Sequence, residues 1–271
     1  MNPKRDGHVH TPFCPHGTSH SLEEYIEKAA AGGITTLTFA EHAPLPEGFT
    51  DTVPDKDSAM SLSDLEAYLM KLENIKKSYK NDITIFTGLE VDYIERYEKE
   101  TEQFLTTYGP HLDDSILSTH FLLADGEYTC MDYSPEFFSS LVTQTGSADA
   151  AARLYFETVL LSVKADLGPF KPGRLGHMTL VHKFQRKFPL KQYPADLVHQ
   201  ILYAVKEQHM ELDYNGAGTA KPLCREPYPP EWIIKEALKH QIPLVYGSDA
   251  HQPAELFQGV TDLYIDKNIH L

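Results

Sequence analysis

The sequence predicts an α/β fold, a mostly parallel sheet made of repeated strand and helix units. Two observations carry that prediction. Short apolar runs of β character recur along the chain, and stretches with apolar residues at helical spacing fall between them. No internal repeat, low-complexity tract or linker-like shift in composition breaks the alternation. A length of 271 residues is one that an α/β barrel, routinely about 200–250 residues or more, can fill alone. One domain over 1–271 is expected.

In chain order, a first strand carries Gly7-His8-Val9-His10. Ser21-Leu22-Glu23-Glu24 reads as a capping box that opens a helix, and Gly32-Gly33 closes it. Strands follow at 34–41, 83–91, 115–121, 174–181, 210–214 and 242–248. Between the second and third, Ser63 is placed to cap a helix whose Leu65, Leu69, Leu72 and Ile75 form an apolar stripe. Leu197, Ile201 and Val205 repeat that spacing in a later helix. Two stretches rich in Pro, Gly and Asp, 43–60 and 215–230, read as long loops, and loops of that length in a compact fold are often functional.

With 41% hydrophobic and 23% charged residues the composition is that of an ordinary globular protein. The formal net charge is −15, which repels a phosphate backbone and argues against nucleic-acid binding. The three cysteines, Cys14, Cys130 and Cys224, are odd in number and scattered, as suits a reducing compartment. The first ten residues lack the apolar core of a signal peptide, and no run nears the roughly 18 apolar residues of a membrane span. A cytoplasmic protein without a membrane partner is expected, with its oligomeric state left open.

Fourteen histidines stand out, because imidazole is the commonest metal ligand. Nearly every predicted strand delivers a potential ligand at or near its carboxyl end. The first gives His8 and His10, and the next ones His42, Glu90, His120 and His177 in turn. The last gives Asp249 and His251, while His16 follows the first strand in Cys-Pro-His-Gly. In a closed or nearly closed α/β barrel these ends converge on one face, where active sites lie. Alternation along a strand turns both imidazoles of His-Val-His the same way. Each piece alone has an ordinary structural explanation, but nine such residues at strand ends do not. His111, His199, His209, His240 and His270 fall elsewhere and read as surface or structural, with His20 and His182 intermediate.

His8-Val9-His10, Cys14-Pro15-His16-Gly17, Glu41-His42, Gly88-Leu89-Glu90, Ser118-Thr119-His120, Gly176-His177 and Ser248-Asp249-Ala250-His251 resemble the PHP (polymerase and histidinol phosphatase) superfamily over residues 8–251. The phrases FCPHGTSHSLEEYIEKA, FAEHAPLP, GRLGHMTLVHKF and KPLCREPYP are similar to its histidinol-phosphate phosphatase branch. The resemblance implies a distorted, TIM-like (β/α)7 barrel with a trinuclear metal site at the carboxyl ends of the strands. It implies one ion on His8, His10, Glu90 and Asp249, a second on His16, His42 and His251, and a third sharing Glu90 and adding His120 and His177. His20 departs from the family pattern, which often has aspartate there, and that puts metal preference or rate in question.

The activity so implied is hydrolysis of L-histidinol phosphate to L-histidinol and phosphate, in histidine biosynthesis. Three divalent ions would lower the pKa of a water and clamp the phosphate oxygens, with a metal-bridging hydroxide attacking phosphorus. Histidine-rich ligation suits iron, zinc or manganese better than magnesium. Arg174 near a strand end, and Arg225 and Lys221 on the second long loop, are candidates for binding the phosphate. Asp249 or His251 is a candidate proton donor to the leaving alkoxide, and Glu41, Glu47 and Asp51 for an acidic rim facing the ammonium and imidazole. Alternatives are another phosphomonoester or a nucleotide as substrate, or a non-catalytic metal-binding protein.

Overall fold

The computed structural model describes residues 3–265, so His270 lies outside the described residues. Its strands in chain order are β1 (Arg5–Val9), β2 (Thr36–His42), β3 (Thr84–Asp92), β4 (Asp114–Ser118), β5 (Phe121–Ala124), β6 (Glu127–Cys130), β7 (Arg174–Leu175), β8 (Glu211–Asn215) and β9 (Leu244–Gly247). The helices are α1 (Leu22–Ala31), α2 (Leu62–Tyr79), α3 (Glu98–Tyr108), α4 (Pro135–Thr145), α5 (Ala148–Lys164), α6 (Ala195–Glu207), α7 (Ala217–Ala220) and α8 (Glu231–Lys239).

Seven strands form one parallel sheet in the order β1-β2-β3-β4-β7-β8-β9. A bridge from Val9 to Ala250 joins its two edges, with Asp249 N donating to His8 O over 2.7 Å and His10 N to Ala250 O over 3.0 Å. The result is a nearly closed, distorted TIM-like barrel. β5 and β6 stand apart as an antiparallel hairpin. No helix among the described residues is long and apolar enough to cross a membrane.

Local chemistry explains the elements. α1 opens on the expected capping box, with Ser21 and Glu24 each accepting from the other's backbone, and buries Leu22, Tyr25, Ile26 and Ala29. α2 is capped by Ser61 rather than Ser63, two residues earlier than expected, because Ser61 accepts from Asp64 N. Its Tyr68 donates to Phe39 O and Gly88 O at 2.9 and 2.7 Å and anchors the helix across β2 and β3. The strand expected over 174–181 is only two residues long, since the chain turns after Leu175 into a 3-10 segment, Leu180–Phe184.

In β1 the register slips by one residue between Asp6 and Val9, a bulge spanning Gly7-His8. A side chain at Gly7 would collide with the Arg174 guanidinium, so the glycine lets that arginine cross the base of the barrel.

Candidate metal centre

Glu90, buried near the end of β3, is the hub at the carboxyl ends of the strands. Its Oε2 faces His42 Nδ1 at 3.1 Å, His8 Nε2 at 3.4 Å and His10 Nε2 at 3.6 Å. Its Oε1 faces His177 Nε2 at 2.8 Å and His120 Nε2 at 3.7 Å. Ser118 fixes the carboxylate by donating to Oε1 over 2.6 Å. Asp249 Oδ1 lies 3.1 Å from His10 Nε2 and 3.8 Å from His8 Nε2. The His16 ring is 5.0 Å from that of His42 and 5.1 Å from that of His251, and His251 stacks on His10 at 3.9 Å. The nine strand-end residues therefore share one cluster.

Behind them stand three carboxylates that the strand-end pattern did not single out as partners. Asp213 on β8 accepts from His8 Nδ1 at 2.8 Å, Glu41 from His10 Nδ1 at 3.1 Å, and Asp92 from His120 Nδ1 at 2.7 Å. Each turns the opposite ring nitrogen toward the centre, the arrangement by which outer carboxylates orient metal-binding imidazoles. Gly247 makes room, because a Cβ there would strike Asp213 and His8. His16 is oriented by a backbone group instead, donating from Nδ1 to Asp57 O over 2.8 Å.

Electrostatics suit a cation. Burial opposes ionisation of Glu90 and Asp249, yet the surrounding imidazoles, His8 first, hold both well below the usual carboxylate range. Burial also opposes charge on His8, but Asp213, Glu90 and Asp249 outweigh it and raise its pKa well above the ordinary value. Burial and the neighbouring His10 instead keep His251 neutral, with its lone pair free. His8 Nε2, His42 Nε2 and His177 Nδ1 are buried without a hydrogen-bond partner, a cost that a bound ion would remove.

Donor atoms of His8, His10 and Asp249, of His8, Glu90 and His177, and of His10, Cys14, His42 and His251 lie within 4.8 Å of one another in each group. Cys14 is the unexpected member. Burial, followed by the nearby Glu41, pushes its thiol pKa up.

A cavity of about 410 Å³ opens over the cluster. Lys221 lines it, as does Lys183, whose Nζ donates to Asp132 over 2.9 Å. Sequence reasoning missed Lys183 and Asp132 because neither sits at a strand end of the main sheet.

The structure places Arg174 away from the cavity. It is fully buried at the first residue of β7, beside Ile116 and Glu211 in register, and so at the amino ends of the strands. Its guanidinium is spent on Asp114 and on Gly7 O at 3.1 Å, with Glu211 at 3.8 Å. Arg225 is exposed, does not line the cavity and donates to Thr219 O over 3.3 Å.

The acidic rim also differs. Glu41 is buried behind His10, Asp51 is buried in its own loop and Glu47 is exposed and does not line the cavity, so the lining acids outside the cluster and its supports are Asp57, Asp132 and Glu255. As proton donors Asp249 and His251 are poorly placed. Asp249 is held ionised, and His251 Nδ1 is committed to the Asp249 carbonyl at 3.1 Å. His20 is exposed and reaches the cluster through Thr18, which contacts His20 Nδ1 at 2.8 Å and His251 O at 3.2 Å.

The PHP domain model matches residues 6–217, most of the strand ends just described. The chain belongs to the PHP domain family. Within it, the histidinol-phosphatase of Bacillus subtilis (strain 168) is 48% identical over 255 residues, spanning 93% of this chain and 95% of that protein. That places this PHP protein in the histidinol-phosphatase branch. A crystal structure of a Listeria monocytogenes protein assigned as a histidinol phosphatase superposes with a TM-score of 0.92 at 42% identity, covering 96% of this chain and all of that one. The barrel is shared more distantly with the histidinol phosphate phosphatase of Lactococcus lactis, solved with zinc, L-histidinol and phosphate. Its TM-score is 0.67 at 20% identity, over 92% of this chain and 87% of that one.

Proposed function

We propose that this protein hydrolyses L-histidinol phosphate to L-histidinol and phosphate at a centre of three divalent ions, iron, zinc or manganese. His8, His10, Glu90 and Asp249 would hold one ion, and His16, His42 and His251 a second. Glu90, His120 and His177 would hold the third. The observation that carries this reading is the Glu90 carboxylate, whose two oxygens face two separate sets of imidazoles, as a carboxylate shared between ions requires. When bound, such ions supply Lewis acidity and a lowered water pKa at the phosphorus.

The chain's own groups do the rest. Lys183 and Lys221 give the dianionic phosphate a cationic wall in a protein of net charge −15, and Asp132 restrains the Lys183 ammonium. Asp213, Glu41 and Asp92 lock the tautomers of His8, His10 and His120, so that the donor atoms are preset before substrate arrives.

The test is to purify the protein without a metal-chelating tag, count its metals, and compare phosphate release from L-histidinol phosphate, p-nitrophenyl phosphate and a nucleotide. Two to three transition-metal ions per chain and a strong preference for L-histidinol phosphate are expected. Preference for another ester overturns the substrate, and absence of tightly bound metal overturns the centre.

A further inference from the structure

On the histidinol phosphate reading, on which this inference rests, the substrate carries a cationic end that a group in the cavity must recognise. Six carboxylates line it: Asp57, Glu90, Asp92, Asp132, Asp249 and Glu255. Five are committed. Glu90 and Asp249 belong to the histidine cluster, and Asp92 holds His120 Nδ1 at 2.7 Å. Asp132 holds Lys183 at 2.9 Å. Glu255 accepts from His251 N at 2.8 Å through one oxygen and from Gln252 Nε2 at 2.9 Å through the other. Among the described residues, the Asp57 carboxylate alone of the six has neither a hydrogen bond nor an ion pair, its backbone carbonyl being the part that accepts from His16.

Its placement is built. Asp51 accepts from Val53 N at 3.0 Å, Ser58 Oγ at 3.1 Å and Ser58 N at 3.1 Å, which folds the segment 51–58 onto itself. Lys56 donates to Asp51 O, and Tyr133 ties the segment to the chain after β6 by donating to Asp55 at 3.3 Å. Asp57 is a half-buried carboxylate on the wall of this cavity. It repels a plain phosphate monoester or a nucleotide while attracting an ester that carries its own ammonium, so it selects both for and against.

We infer that Asp57 is the specificity-determining carboxylate of the cavity, taking the ammonium of the amino-alcohol while the phosphate meets the cluster and the lysines.

The test uses metal-loaded wild type, Asp57→Asn and Asp57→Ala. Values of kcat/KM are measured on L-histidinol phosphate and on its des-amino analogue, 3-(imidazol-4-yl)propyl phosphate, and L-histidinol affinity is measured by calorimetry. A charge-assisted hydrogen bond predicts that the preference for L-histidinol phosphate over the analogue falls about 10- to 100-fold in both variants, with L-histidinol affinity falling alongside. Equal losses on both substrates would mean that the Asp57 side chain acts only by shaping the loop whose carbonyl holds His16, and would overturn the inference. So would an unaltered preference, or a wild type that does not distinguish the two esters. A wild type that prefers an unrelated monoester fails the underlying reading instead, and does so before any variant is compared.

Discussion

Asp213 and His8 are joined by a hydrogen bond of 2.8 Å, both fully buried, and the same carboxylate oxygen takes Asn215 Nδ2 at 3.1 Å and His177 N at 3.4 Å. One oxygen on β8 thus orients a side chain on β1 and the turn that follows β7. Asp213→Asn can present an NH2 group to His8 Nδ1, which favours the other tautomer and points a proton at the centre. Apparent metal affinity, measured by chelator competition, is expected to fall about 10- to 100-fold. Wild-type affinity in a folded Asp213→Asn protein would remove Asp213 from the account.

Glu90 makes a stronger demand. Glu90→Gln keeps the shape but gives up the charge that balances five imidazoles. If the carboxylate is shared between ions, the variant loses at least one ion per chain by elemental analysis, and phosphate release drops by two or more orders of magnitude. Full metal content with activity intact would exclude the shared-ligand role.

How far the site was legible in the sequence depended on where its members sit. His8, His42, Glu90 and Asp249 lie where the strand-end rule looks, so local alternation and barrel convergence sufficed to find them. Arg174 misled for a related reason: it is three residues before His177, but the chain runs straight only to Leu175, so the two residues lie toward opposite ends of the barrel. Asp213 had a legible signal, a charge inside the apolar run 210–214. The hairpin β5–β6 had one too, in Asp125-Gly126, both at positive φ, a turn pair that favours hairpins. Lys183 and Asp132 meet only through tertiary packing of segments 51 residues apart, which no local period encodes.

Arg174 belongs to stability. Asp114 accepts from Arg174, from Arg5 at 2.8 Å and from Thr38 Oγ1 at 2.8 Å, so one carboxylate gathers β1, β2, β4 and β7 at the amino end. The two arginines, Arg174 first, hold its pKa below the ordinary value against the effect of burial. Arg174→Met leaves that carboxylate without its fully buried partner, and losses of about 3–5 kcal/mol are typical of such breaks. Denaturant unfolding should show a drop of that order, while KM in the surviving folded enzyme changes little. A selective rise in KM without loss of stability would restore the phosphate-binding role.

Asp6 gives the barrel a pH dependence. Its Oδ1 accepts from Ser248 N at 3.0 Å and His8 N at 3.2 Å, while Oδ2 is buried without a partner. Burial pushes its pKa from 3.8 up to about 7, against the opposing pull of Ser248 and His8. An acid whose folded pKa is raised is ionised in the unfolded chain first, so stability falls as pH rises from about 4 to about 7, then levels off. At 1.36 kcal/mol per unit the cost above neutrality is at most on the order of 4 kcal/mol. Asp6→Asn keeps the Oδ1 acceptor and cannot ionise. Thermal unfolding of metal-free protein should therefore show the variant gaining stability over wild type at pH 8 relative to pH 5. A difference in Tm that is the same at both pH values would mean that the Asp6 carboxyl does not titrate in this range.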